Sequence, residues 1–210
     1  MPKGSPELTQ ARREEIITAC EQLYQTMSFK EITLKEISEA TSMSRPSLYN
    51  YFETKEEIFL ALLQREYQLW VAELDTLRES RAEMSREELA DSLARSLERR
   101  EQLLKLMSMN HYDMEESSRP DRLAEFKCAY GASLRAMDAL VAKFCPEKSK
   151  TERKAFLFAF FPFIYGIYPY AVVTGKQRQA MEKAGVDYAY PTIRLLCESV
   201  SCREAGPSVL

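Results

Sequence analysis

His111 is the single histidine of this 210-residue chain, and acid–base or metal chemistry would have to begin there. It stands with Tyr112 and Asp113 beside Met107, Met109 and Met114. One imidazole and one carboxylate make a weak metal signal, because zinc sites draw three or four ligands from Cys, His, Asp and Glu. A proton or metal sensor is one reading of His111, and a loop or pocket-edge residue is the simpler one. The five cysteines, Cys20, Cys128, Cys145, Cys197 and Cys202, are odd in number and scattered. They form no CxxC pair and no Cys/His cluster, which argues against zinc and for reduced thiols in a cytoplasmic protein. No nucleophile elbow or phosphate loop is present. With that equipment we expect no enzyme, no bound metal and no cofactor.

Residues 33 to 55 offer a different chemistry. Thr33-Leu34-Lys35-Glu36 reads as a capping box, a hydroxyl for one free N–H and a carboxylate reaching back for another. Ile32 and Ile37 stand at the staple positions around it. Ser44 is placed to cap the next helix, with Met43 and Leu48 at its staple positions. Pro46 falls in the first turn, where no N–H partner is lost. Thr54-Lys55-Glu56-Glu57 reads as another capping box. Two short helices joined by a turn of about three residues make a helix-turn-helix unit, whose second helix enters the major groove. That spacing turns the question from which reaction to which DNA. The charge balance runs the other way. Residues 1–55 carry seven Lys/Arg and eight Glu, where a DNA-binding domain is usually basic.

The elements that must position these residues are helical throughout, and no convincing strand run is found. Helices are expected over about 9–27, 33–40, 44–51, 54–79, 102–109, 121–144, 151–174 and 187–202, with one more opening at Ser85 and carrying Leu89, Leu93 and Leu97. Ser85-Arg86-Glu87-Glu88 is a further capping box, and Thr151 is placed to cap the apolar helix after it. Residues 111–120 read as a loop and 176–185 as a loop or frayed helix. The start of the chain reads as a short disordered arm and the tail from Glu204 as loose. The last helix sets Ile193, Leu196, Cys197 and Val200 at i, i+3, i+4 and i+7. This is an all-α chain of about nine helices. A three-helix helix-turn-helix domain is expected over 1–55 and a larger helical domain over 56–210.

One stretch imitates a membrane span. Residues 155–175 hold no charge, and that length meets the criterion for a transmembrane helix. Pro162, Gly166 and Pro169 interrupt it, and Tyr165, Tyr168 and Tyr170 put hydroxyls near its middle rather than at its ends. A buried helix is the better reading, and no membrane partner is expected.

Ile37, Ala40, Ser44, Leu48, Tyr49, Tyr51, Phe52, Lys55, Glu56 and Glu57 carry a resemblance. The stretch from Ile16 to Leu63 resembles the N-terminal domain of TetR-type (tetracycline-repressor-like) transcriptional regulators. Two positions depart from the family pattern. Ser28 and Ser42 stand where glycine is common, and a positive φ there would strain a serine. The resemblance implies that Thr33 and the start of the second helix approach a phosphate. It implies that Ser44, Arg45, Pro46, Ser47, Tyr49 and Asn50 lie on the groove side of the recognition helix. Tyr49 and Tyr51 then offer hydroxyls to the DNA backbone, and Lys55 adds charge at the anion-favouring end of a helix. Arg45 is the one long cation of the recognition helix and suits a bidentate contact to guanine.

The resemblance further implies a homodimer, joined by the last two helices as a four-helix interface, with a ligand cavity among the inner helices. Pro162 and Pro169 deny hydrogen bonds to the carbonyls of Phe158 and Tyr165, and a Met-rich, aromatic lining suits an adaptable apolar pocket. Tyr67, Trp70, Met107, His111, Tyr112, Phe126, Tyr130, Phe161 and Tyr165 are the expected ligand-binding residues. Each aromatic also reads as plain core. The expected function is a ligand-responsive repressor, released from double-stranded operator DNA by a small, mostly apolar effector. The competing reading is a DNA-binding-deficient helical interaction protein, or a redox or small-molecule sensor acting through Cys128 or Cys145.

Overall fold

Ser5 opens the first helix of the computed structural model by accepting the Leu8 N–H at 3.3 Å, and Pro6 stands where its missing donor costs nothing. The structure describes residues 5–109, 111–187 and 189–203. The side chains of His111, Val200 and Cys202, the arm before Ser5 and the tail from Glu204 lie outside the described residues. Within the description the chain is helical and contains no strand. The helices are α1 (Pro6–Thr26), α2 (Leu34–Glu39), α3 (Arg45–Leu48), α4 (Lys55–Ser80), α5 (Arg86–Glu98), α6 (Glu101–Met107), α7 (His111–Glu116), α8 (Pro120–Phe144), α9 (Lys150–Gly166), α10 (Tyr168–Ala171), α11 (Gly175–Lys183) and α12 (Ile193–Arg203).

These twelve helices replace the nine expected; α7, α10 and α11 are the additions, and the last two have a local cause. The apolar helix stops at Gly166 and restarts as α10, with Pro169 in the first turn of the new helix. A proline there costs no hydrogen bond, whereas in a continuous helix it would. Its cap is Ser149, in a box with Glu152, rather than Thr151. α11 was expected as a loop or frayed helix because its faces are polar, and none of its residues is buried. Its ends hold it. Thr174 and Gln177 form a capping box, and at the other end the Val186 N–H donates to the Met181 carbonyl and Gly185 N–H to Glu182, both near 3.0 Å. That is a Schellman closure, and Gly185 takes the left-handed φ of +64° it requires. α7 stands where a loop was expected.

The chain divides into two compact units. One comprises Met1–Arg65 with Asn110–Tyr130, the other Glu66–Met109 with Gly131–Leu210. The first is built on Ile16, Ile32, Ile37, Leu48, Phe52, Ile58 and Leu62, all fully buried. Phe59 receives Tyr24 and Phe29 edge-on, with ring centroids at 5.1 and 4.8 Å, a favoured aromatic geometry. In the second unit, α12 lies along α5, where Arg194 donates to Asp91 at 2.5 Å. Trp70, Leu93, Leu97, Leu103, Leu106, Phe160 and Ile164 fill its interior. The Trp70 indole N–H donates to Ser96 Oγ at 3.1 Å, and that hydroxyl passes its own hydrogen to the Leu93 carbonyl at 2.8 Å. A buried tryptophan and a buried serine thus satisfy each other. Among the described residues no helix is long and apolar enough to cross a membrane.

Candidate nucleic-acid interface

α3 is only one turn of α-helix, and two side chains fix how it lies. Leu48 and Phe52, four residues apart, are fully buried. The Tyr51 and Phe52 N–H groups both donate to the Leu48 carbonyl, at 2.9 and 3.0 Å, and carry the coil past Tyr49. With that face turned inward, Ser44, Arg45, Pro46, Tyr49 and Asn50 are exposed, while Ser47 and Tyr51 are half-buried. Seven of the expected contact residues thus share one short surface, with Ser44 at its head and Arg45 as its long cation. Ser44 does not cap the helix with its side chain. Its Oγ lies 2.9 Å from Ser47 Oγ, and its carbonyl accepts the Ser47 N–H at 2.8 Å. Its hydroxyl is spent on Ser47, so the expected cap is corrected.

The preceding turn is built without glycine. No non-glycine residue among those described has a positive φ, so Ser28 and Ser42 carry no left-handed strain. Each is held by a glutamate instead. The Ser28 N–H donates to Glu31 and the Ser42 N–H to Glu15, both at 2.7 Å. Arg12 donates to Ser42 Oγ and to Glu15, both at 2.8 Å. Hydrogen bonds from the Ser42 hydroxyl and N–H, then from Arg12, hold the Glu15 carboxyl down at about 2.

Thr33 is exposed at the start of α2 and forms the expected box. The Glu36 carboxylate accepts both its N–H, at 3.1 Å, and its hydroxyl. A carboxylate therefore sits at the helix end where a phosphate was expected, and the Thr33 hydroxyl, first, with the backbone N–H groups, keeps it below its usual range. Lys55 also differs from expectation. Its Nζ donates to the carbonyls of Phe29, at 2.7 Å, and Ile32, at 3.1 Å, and lies 4.1 Å from the centre of the Phe29 ring. The ammonium ties down the chain between α1 and α2, which spends two of its three donors inside the domain.

The second expected box is half formed. Thr54 Oγ1 accepts the Glu57 N–H at 3.1 Å, but the Glu57 carboxylate turns to the Glu53 N–H, at 2.8 Å, and to Arg119. Arg119 is a residue that reading along the sequence missed. It lies 62 positions from Glu57, in no motif and on no periodic face. Burial pushes the Glu57 carboxyl up, but hydrogen bonds from Arg119 and from the Glu53 and Arg119 N–H groups outweigh it and hold the carboxyl below its usual range.

The expected ligand residues separate into two groups. In the unit built on Glu66–Met109 with Gly131–Leu210, Tyr67, Trp70, Met107 and Phe161 are buried and Tyr165 is half-buried. The Tyr67 and Tyr165 hydroxyls lie 2.7 Å apart, and Trp70 meets Phe161 edge-on at 6.1 Å. In the other unit Phe126 stacks on Tyr130 at 6.5 Å, and burial raises the Tyr130 hydroxyl above its usual range. Tyr112 is 88% exposed. It stands at the surface of the short helix α7, so it is corrected from pocket wall to surface residue. A cavity of about 470 Å3 lies elsewhere, beside α10 and α11, against Pro169, Tyr170, Val173, Ala180 and Met181. Of the thiols, Cys20 and Cys197 are buried and pushed up to about 12 by desolvation, Cys145 is buried and raised, and Cys128 is exposed.

Two family models match the chain. Residues 16–62 match "Bacterial regulatory proteins, tetR family", and residues 64–194 match "Tetracyclin repressor-like, C-terminal domain". Among curated proteins, the HTH-type transcriptional regulator RutR of Escherichia coli K12 is 28% identical over 75 residues, which is 36% of this chain and 35% of that protein. The fold is similar to that of the fatty acid degradation regulator FadR of Bacillus halodurans, at a TM-score of 0.57, 15% identity and 97% coverage of both chains. It is also similar to Thermus thermophilus FadR in complex with lauroyl-CoA, at a TM-score of 0.54, 18% identity and 92% and 93% coverage.

Proposed function

This chain belongs to the tetR family of bacterial transcriptional regulators, and from that membership we propose that it is a homodimeric repressor released from operator DNA by a small, mostly apolar effector. DNA reading is assigned to residues 1–55, and effector binding and dimerisation to 56–210. The observation that carries the DNA reading is the exposed set Arg45, Pro46, Tyr49 and Asn50 on a helix pinned by Leu48 and Phe52. Phosphate contacts would position this head, and Arg45 would read a base edge. Support for a dimer comes from α9. Ala155, Phe158, Ala159, Pro162 and Gly166 fall at helical spacing and are all exposed. Phe158 is 76% exposed, and a Cβ built on Gly166 meets nothing within 4 Å. So apolar a stripe suits a second copy, with Leu195 of α12, 57% exposed, as a further contact.

The effector reading rests on the aromatic interior around Tyr67, Trp70, Phe161 and Tyr165, rings that an apolar molecule would part. The competing reading, a sensor that has lost DNA binding, draws on the excess of acidic residues in 1–55. Selection of binding duplexes from a random pool by the full chain separates the two. Recovery of one sequence, palindromic with half-sites about 34–36 Å apart, is expected of the repressor, and recovery of none removes it. Fluorescence of Trp70, the only tryptophan, then screens effectors, a fatty acyl-CoA among them. By linkage the selected duplex must weaken the true effector by the factor with which the effector weakens DNA.

A further inference from the structure

α3 cannot hold its own geometry. Four residues of helix are far below the length that is stable alone, and no left-handed residue closes it. Its last carbonyl, Leu48, is taken by the Tyr51 and Phe52 N–H groups, and the coil they form draws a donor for the Tyr51 carbonyl from elsewhere in the chain. Arg119 supplies one from 68 residues away, where its Nη2 donates to the Tyr51 carbonyl at 3.3 Å. Arg122 Nη2 lies 3.5 Å from the same carbonyl.

The guanidinium of Arg119 is itself fixed by a buried charge. The Glu57 side chain has no exposed surface, and a carboxylate so placed needs a partner. Arg119 Nε donates to Glu57 Oε1 at 2.7 Å and Nη2 to Oε2 at 2.9 Å, fork to fork. The Arg119 N–H adds a bond to Oε1 at 3.0 Å. Nη1 stands 3.3 Å from the Glu53 carboxylate. One planar group therefore holds residues 51, 53 and 57 at once. Around it, Glu125 is shared by Arg122 and by Arg13 of α1, both at 2.7 Å, and Arg13 lies over the Phe52 ring at 5.5 Å. All of these residues belong to one compact unit.

We propose that Arg119 is a positioning residue for DNA recognition. By bridging the buried Glu57 carboxylate and the Tyr51 carbonyl, it fixes the angle at which Arg45, Tyr49 and Asn50 are presented. It acts through the backbone that follows the recognition helix. The proposal rests on the repressor reading above. It goes beyond it in assigning part of the reading head to a residue outside 1–55.

The test compares Arg119→Ala and Arg119→Lys in the full chain. Lysine keeps a point charge for Glu57 but cannot span both acceptors. Three quantities are measured: thermal unfolding, affinity for the duplex selected by the wild-type chain and for a scrambled duplex, and deuterium exchange of the Asn50–Phe52 amides without DNA. Arg119→Ala should lose about tenfold or more on the selected duplex and less than about twofold on the scrambled one, in line with one lost charged contact. Arg119→Lys should recover most of the unfolding temperature yet remain at least threefold weaker on the selected duplex. Exchange at Asn50–Phe52 should quicken in both variants. If affinity simply tracks stability, so that the folded lysine variant binds like wild type, the positioning role is wrong. Unchanged exchange at Asn50–Phe52 overturns it equally, whether or not any duplex was selected. Failure of the wild-type chain to select a duplex would count against the repressor reading alone.

Discussion

Arg45 and Lys55 stand ten positions apart in one motif, and their surroundings assign them different work. Arg45 is exposed and free to reach a base edge. Arg45→Ala should cost about 1–3 kcal/mol on the selected duplex and little on a scrambled one. Equal loss on both would reassign the residue to phosphate. Lys55 faces two carbonyls and a ring. Charge-assisted hydrogen bonds of this kind are worth about 1.5–3 kcal/mol when buried, and less at a half-buried site. Lys55→Ala should therefore lower the unfolding temperature and leave the salt dependence of DNA binding unchanged. A slope reduced by about one, the signature of a lost phosphate contact, would show that its third donor reaches DNA after all.

At the scale of elements, the helix-turn-helix turn offers a pH test. Glu15 of α1 holds the Ser42 N–H, and its carboxyl lies at about 2 when folded against an ordinary 4.5. Because the folded value is depressed, the contact stabilises the turn fully above about pH 4.5. That contribution is lost as the pH falls from 4.5 towards 2. Glu15→Gln should be less stable than wild type at neutral pH, and the gap should close in that window. The Ser42 amide resonance should titrate only at the low end of that window, near pH 2, in the wild-type chain. A gap that stays constant from pH 7 to pH 2 would deny the carboxylate this role. The same element explains how serine serves at a turn where the resemblance implied glycine. Once a glutamate and an arginine hold the turn in ordinary φ, the left-handed conformation is not needed.

For the whole molecule the proposed dimer rests on the outward face of α9. A 24.3 kDa chain with Phe158 and its small neighbours exposed should sediment at about twice that mass at micromolar concentration. Phe158→Glu places a charge in the middle of the face and should shift the protein to monomer while preserving its helix content, since this side chain packs against little within its own chain. Operator affinity should fall with it, because two half-sites would no longer be read by one particle. A wild-type monomer, or a Phe158→Glu dimer, would move the interface elsewhere.

Much of this was legible along the chain. The capping boxes at Thr33 and Ser85, the staple pair Ile32 and Ile37, and the buried pair Leu48 and Phe52 are local patterns. Hydrogen bonds and apolar burial across three to five residues set them, so spacing alone places α3 and its outward side chains. What lay beyond reading was decided by partners far apart in sequence. Glu57 looked like the back-reaching half of a box and instead meets Arg119. Lys55 looked like a phosphate ligand and instead meets Phe29 and Ile32. Tyr112, apolar enough for a pocket wall, lies on a short helix at the surface. A side chain with several donors or acceptors takes whichever partner the packing brings nearest, and periodicity carries no information about that choice. The alternation of residue types determined which helices form and which faces are buried. Only the tertiary structure decided which charges are spent inside the protein and which are left to meet DNA.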